Sequence, residues 1–125
     1  APMRASAVGD ADQAAGQKVI DEQIAAFRSD NADQAYAAAT PAIREMFGSK
    51  EAFMAMVRQG YAPVYRARRH AFGPSRDLDT GFEQSVEIQD ETGTDWDAIY
   101  SLERQPDGSW AISGCRLVKR PGDAV

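Results

Sequence analysis

The spacing of apolar residues changes partway along this chain, and that change limits the fold more than any other feature. Up to about Gly60, apolar residues recur every three or four positions, as on one face of a helix. From Phe82 they alternate with polar residues, as on a half-buried strand. The stretch Phe47 to Arg69, FGSKEAFMAMVRQGYAPVYRARR, sits at the divide. Helices followed by strands with short turns predict an α+β domain, because a parallel sheet would need helices interleaved as crossovers.

Within the dividing stretch, Ser49 supplies an N-cap and Glu51 an anion in the first turn. Phe53, Met56, Val57 and Gly60 share one face, and Met54 and Met56 are read as core filler. Gly60 is expected to stop the helix. Pro63 is expected to keep it from restarting and to hold Ala62 extended, so that Tyr65 to Phe72 leaves as a strand. Upstream, Asp10 and Asp12 open a helix to about Arg28, with Gly16, Ile20, Ile24 and Phe27 on its buried stripe. A glycine there implies close approach of another backbone. Asn31 and Gln34 have capping-box spacing for a second helix over Ala32 to Ala39, and Thr40-Pro41 starts a third that ends at Gly48.

In the second half, Phe82, Gln84, Val86 and Ile88 form one strand face; Trp96, Ala98, Tyr100 and Leu102 form the next. Glu91-Thr92-Gly93 and Gln105-Pro106-Asp107-Gly108-Ser109 are the turns. Continued alternation in the last strand places Trp110, Ile112, Gly114, Arg116 and Val118 on the apolar face, with Cys115 and Leu117 opposite. Residues 1–9 read as a disordered tail and 10–120 as one domain. Ala5-Ser6-Ala7 has the pattern of an export-signal cleavage site, so a periplasmic or secreted location is expected; the competing reading is a chance pattern in an Ala-rich tail of a cytoplasmic protein.

The 125 residues carry a net charge of -5, which argues against nucleic-acid binding. No apolar run approaches a membrane span. One cysteine excludes an intramolecular disulfide, and with one histidine it leaves no soft-ligand metal cluster. No phosphate-binding, dinucleotide or catalytic-serine motif is present, and no cofactor is expected.

The dividing stretch together with ERQPDGSWAISGCRLV resembles a bacterial group known as domain of unknown function 4864, which is similar to the nuclear transport factor 2-like superfamily. The resemblance implies a conical α+β domain: N-terminal helices packed on a curved antiparallel sheet that curls around the long first helix. The superfamily hosts isomerases, dehydratases, hydrolases and non-catalytic binding domains, so it implies no single activity and no catalytic residues.

Candidate site residues therefore come from position and chemistry. Arg116, on the apolar face beside Gly114 with Tyr61, Tyr65 and Tyr100 as neighbours, would hold a small-molecule carboxylate by paired hydrogen bonds. The competing reading is an arginine that snorkels to water. His70 is weighed as a ligand-binding or general-base residue against a partly exposed strand histidine. Ile99, Cys115 and Leu117, opposite the apolar side, are read as a patch for a homodimer. The function expected is a non-catalytic module binding a small ligand or a protein partner. The alternative is a small cofactor-free lyase, isomerase or hydrolase working in the cone-shaped cavity.

Overall fold

A computed structural model describes residues 8–121. Among them, helices α1 (Asp10–Arg28), α2 (Ala32–Ala37), α3 (Pro41–Phe47), α4 (Lys50–Gly60) and α5 (Ala62–Tyr65) precede strands β1 (Arg69–Asp77), β2 (Gly81–Gln89), β3 (Asp95–Arg104) and β4 (Trp110–Lys119). The strands form one antiparallel sheet in the order β1-β2-β3-β4. The α+β class and the helices-then-strands order are as the change of period predicts. No helix among the described residues is long and apolar enough to cross a membrane. The Ala5 to Ala7 pattern, and most of the expected tail, lie outside the described residues; Val8, near that tail's end, is buried in the core.

The caps work as their chemistry dictates. Asn31 accepts from the Gln34 amide, Thr40 from that of Ile43 and Ser49 from that of Ala52. Helix α1 buries Ile20, Ile24 and Phe27 against the inner sheet face, where Phe82, Val86, Ile88, Ala98, Tyr100, Leu102, Trp110 and Ile112 meet them. Trp96, expected among the core residues, is half-buried, and its indole N–H donates to Asp90 at 2.9 Å.

Helix α4 ends at Gly60, as expected, and Tyr61 follows it at φ -134. Four local expectations are corrected. Pro63 does not keep the chain extended but sits in the first turn of α5, where a missing N–H costs nothing, and Val64 and Tyr65 are buried with it. The strand therefore starts at Arg69, not Tyr65. Helix α2 stops at Ala37 because the chain beyond it pairs with the sheet: Ile112 N–H donates to Ala38 O at 2.8 Å and Thr40 N–H to Ile112 O at 2.9 Å. The close neighbour of Gly16 is a side chain, the Phe82 ring, rather than a backbone.

Strand β1 has a register shift between Phe72 and Ser75 that takes in Gly73 and Pro74. Gln84, wholly buried opposite it, donates to Gly73 O at 2.9 Å and to Ser85 O at 2.9 Å, and accepts from Gln17 of α1 at 3.1 Å. A glutamine inside the apolar face is thus fully used in closing the bulge.

Candidate functional site

The site begins with one extra residue. Ser101 of β3 pairs with Gly114 of β4, but its neighbour Leu102 pairs with Ile112, leaving Ser113 over. That is a β-bulge, and past it every side chain changes face. Cys115 and Leu117 now stand opposite Tyr100 and Ala98 on the inner face. Arg116 stands opposite Ile99 on the outer face and is exposed. The carboxylate anchor expected at Arg116 is therefore not inside the sheet. The dimer patch expected from Ile99, Cys115 and Leu117 does not form either, because two of its members turn inward.

The bulge opens a cavity. With Ala38 to Thr40 tied to Ile112, α3 and α4 stand over β4 at the bulge and enclose a hollow of about 300 Å³. Phe27, Phe53 and Val57 form its deep wall, and Ile112 to Cys115 its sheet side. Ile43, Met46, Phe47 and Met56 line the helix side. Phe53 packs on Phe27 and Phe47 with ring centroids 6.2 and 5.7 Å apart, so the deep wall is stiff. Met46 is 70% exposed and marks the mouth.

Few polar groups reach this wall. Tyr61 donates its hydroxyl to the Cys115 carbonyl at 3.0 Å, pinning the end of α4 to β4. Gln23 donates to Ala35 O at 3.0 Å and joins α1 to α2. Tyr100 is 1% exposed, and its hydroxyl has no hydrogen-bond partner among the described residues. Burial raises the Tyr100 hydroxyl well above its ordinary pKa, and Cys115 beside it adds to the rise. Burial likewise pushes the Cys115 thiol up to about 12, against the smaller opposing pull of the Arg116 charge. Both groups stay protonated at neutral pH, so Cys115 is a poor nucleophile.

The remaining sequence candidates lie elsewhere. Tyr65 is buried, but its hydroxyl donates to Asp30 and its ring lies under the Arg66 guanidinium at 4.2 Å; it is not in the cavity wall. His70 faces inward opposite Ile88, with Nε2 2.7 Å from Asp21 of α1. It belongs to a separate polar hollow with Glu87, Asp95, Trp96 and Arg120. Trp96, in the His70 row, is four residues along β3 from Tyr100, about 13 Å at strand rise. Of the five candidates, the fold brings only Tyr61 and Tyr100 to the cavity. Asp97, on the outer face, pairs with Arg120 at 3.0 Å and cannot join Tyr100, as their odd separation requires. No group of three or more His, Cys, Asp or Glu side chains among the described residues is placed to hold a metal ion.

Sequence reasoning missed Cys115 because it ran the alternation of β4 unbroken, and it missed the methionine mouth because Met46 and Met56 meet only through the packing of α3 and α4 over β4. A signal was present: an isolated Gly inside a strand pattern marks a bulge, and Gly114 follows Ser113 there.

The family model described as domain of unknown function (DUF4864) matches residues 9–125. No curated protein matches the chain. Among solved structures, an NTF2-like protein of unknown function from Methylobacillus flagellatus KT superposes with a TM-score of 0.64, covering 95% of this chain and 100% of that one at 14% identity. The likeness shows the fold: helices on an open, four-stranded antiparallel sheet.

Proposed function

We propose, since this chain belongs to the DUF4864 family of domains of unknown function and a shared fold assigns no activity, that it is a non-catalytic module taking a small, mainly apolar ligand into the cavity beside the β4 bulge. One observation carries this reading: a hollow of about 300 Å³, walled by aromatic, aliphatic and methionine side chains, leads from exposed Met46 to the core. Protein interiors leave few voids larger than a water molecule. A hollow of this size with walls of this chemistry is what a small-ligand site requires. Met46 and Met56 can repack around differently shaped guests. Among the described residues, the wall contains no Asp, Glu, His, Lys or Arg. A lyase, isomerase or hydrolase would need a proton acceptor there, which is why binding is preferred over catalysis.

The test is thermal unfolding with toluene, ethylbenzene and acetophenone, on the parent protein and on Met56→Trp, whose indole should fill the hollow. Ligand at ten times its Kd should raise the parent's midpoint by about 4–6 °C, and the rise should disappear in the variant. No shift with any of the three, or equal shifts in both proteins, would remove the cavity as a site.

A further inference from the structure

We infer that Tyr100 is the hydrogen-bond donor of this cavity, and that it selects neutral ligands carrying an exposed acceptor oxygen, such as a ketone or an ester, over hydrocarbons and carboxylates of the same shape. The inference rests on the cavity reading above and adds the chemistry of what enters. Tyr100 is a wall residue, 1% exposed, and its hydroxyl lacks a partner among the described residues. Buried polar groups are almost always paired, and an unpaired one needs an explanation. A phenylalanine at this position would pack as well and leave no orphaned hydroxyl.

The neighbouring acceptors do not meet the need. Tyr100 lies between Gln84 and Cys115 across the sheet. The Gln84 side chain is committed to Gly73, Ser85 and Gln17. The Cys115 carbonyl receives the Tyr61 hydroxyl. An acceptor oxygen on a guest would complete the phenol's hydrogen bond against a deep apolar wall, where such a bond is stronger than at a surface.

An anion fits poorly. Among the described residues the wall has no cation, and the bulge has turned Arg116 to the other face. A carboxylate would lose its water shell and gain no counter-charge. Size limits the guest as well: about 300 Å³, at roughly 30 Å³ per water-sized group, admits about ten non-hydrogen atoms.

Acetophenone, α-methylstyrene and benzoate provide the test. The first two share one skeleton and differ by an oxygen replaced with a methylene; benzoate adds the charge. Each is titrated into the parent and into Tyr100→Phe by NMR. The ratio of the acetophenone Kd to the α-methylstyrene Kd should rise roughly three- to tenfold in Tyr100→Phe, and benzoate should bind the parent at least about tenfold more weakly than acetophenone. With isotope-labelled tyrosine, the Cζ resonance of Tyr100 in the parent should move with acetophenone much more than with α-methylstyrene, a readout that does not depend on the variant folding. An unchanged ratio with a Cζ resonance blind to the oxygen, or benzoate binding more tightly than the ketone, overturns the inference. If α-methylstyrene still binds in that case, the cavity reading survives without Tyr100. If none of the three binds, both fall.

Discussion

Gly16→Ala should destabilise this protein, against the helix propensity that favours alanine. A Cβ at residue 16 would lie 2.5 Å from Phe82 Cζ, 3.0 Å from its Cε1 and 3.3 Å from Leu102 Cδ2. The ring must therefore move, but Phe82 is wholly buried and packs edge-on to Trp110 at 5.2 Å. Trp110 is in turn covered by the Arg104 guanidinium at 4.6 Å, and Arg104 pairs with Asp12 of α1 at 2.7 Å. Alanine gains about 0.5–1 kcal/mol in a helix interior, whereas overpacking a tight core costs about 1–3 kcal/mol. The balance is a net loss of about 0.5–2 kcal/mol, or roughly 2–8 °C in Tm for a chain of this size. Gly60→Ala is the control: that helical position has nothing within 4 Å of its added Cβ, so the variant should match or exceed the parent by up to about 0.5 kcal/mol. Urea unfolding followed by circular dichroism reads both. A double variant with Phe82→Leu should recover part of the Gly16→Ala loss, giving a coupling of about 0.5–2 kcal/mol. Gly16→Ala at or above parent stability, or strict additivity with Phe82→Leu, refutes the argument that ring and backbone compete for the same space.

Three further outcomes follow from the hairpin and the bulge. Burial raises the pKa of the Asp90 carboxyl, but hydrogen bonds from Thr92 and Trp96 side chains and the Thr94 and Thr92 amides outweigh it and hold the group at about 2. Its contribution is thus complete above the unfolded value near 4 and is lost as pH falls through about 2. Asp90→Asn should cost about 1 kcal/mol at pH 7, after discounting for solvent screening, and less at pH 2; a cost that is the same at both pH values would contradict this. Deleting Ser113 should remove the bulge and leave a regular ladder, with Ile112 still opposite Leu102 and Gly114 opposite Ser101; Cys115 and Leu117 stay inward and Arg116 outward, so chemical unfolding should show a loss below the roughly 3 kcal/mol of burying an unpaired charge. Arg116→Ala in the intact chain should stay within about 0.5 kcal/mol of the parent by chemical unfolding, as for an exposed side chain without a special role; a larger loss would mean that Arg116 is not free on the surface.

Much of the fold could be read from local chemistry. Asn31, Thr40 and Ser49 cap the helices they precede, and the faces Phe82-Gln84-Val86-Ile88 and Trp96-Ala98-Tyr100-Leu102 are inward as alternation requires. These features depend on neighbours a few residues apart. The site was far less legible, because its geometry depends on strand pairing. Whether Arg116 or Cys115 faces inward is decided by a single unpaired residue, and parity counting gives the wrong face to everything beyond it. Tyr61 and Tyr100 were identifiable as aromatic residues with hydroxyl groups. That one is tied to a carbonyl while the other is left unpartnered depends on the packing of α4 over β4, which no local pattern encodes.

The irregularity in β1 bears on how copies of this protein meet. The sheet is open, so β1 and β4 each offer one flank of the kind along which another chain adds as a further strand. On β1 that flank is interrupted: Pro74 has no N–H to give, and the carbonyl of Gly73 is claimed from within by Gln84. On β4 the flank begins where Ala38 to Thr40 already occupy Ile112 and ends among Arg116, Lys119 and Arg120. Neither side presents a long, unbroken row of free backbone groups, so the same glutamine that completes the interior also guards the sheet against edge-to-edge aggregation.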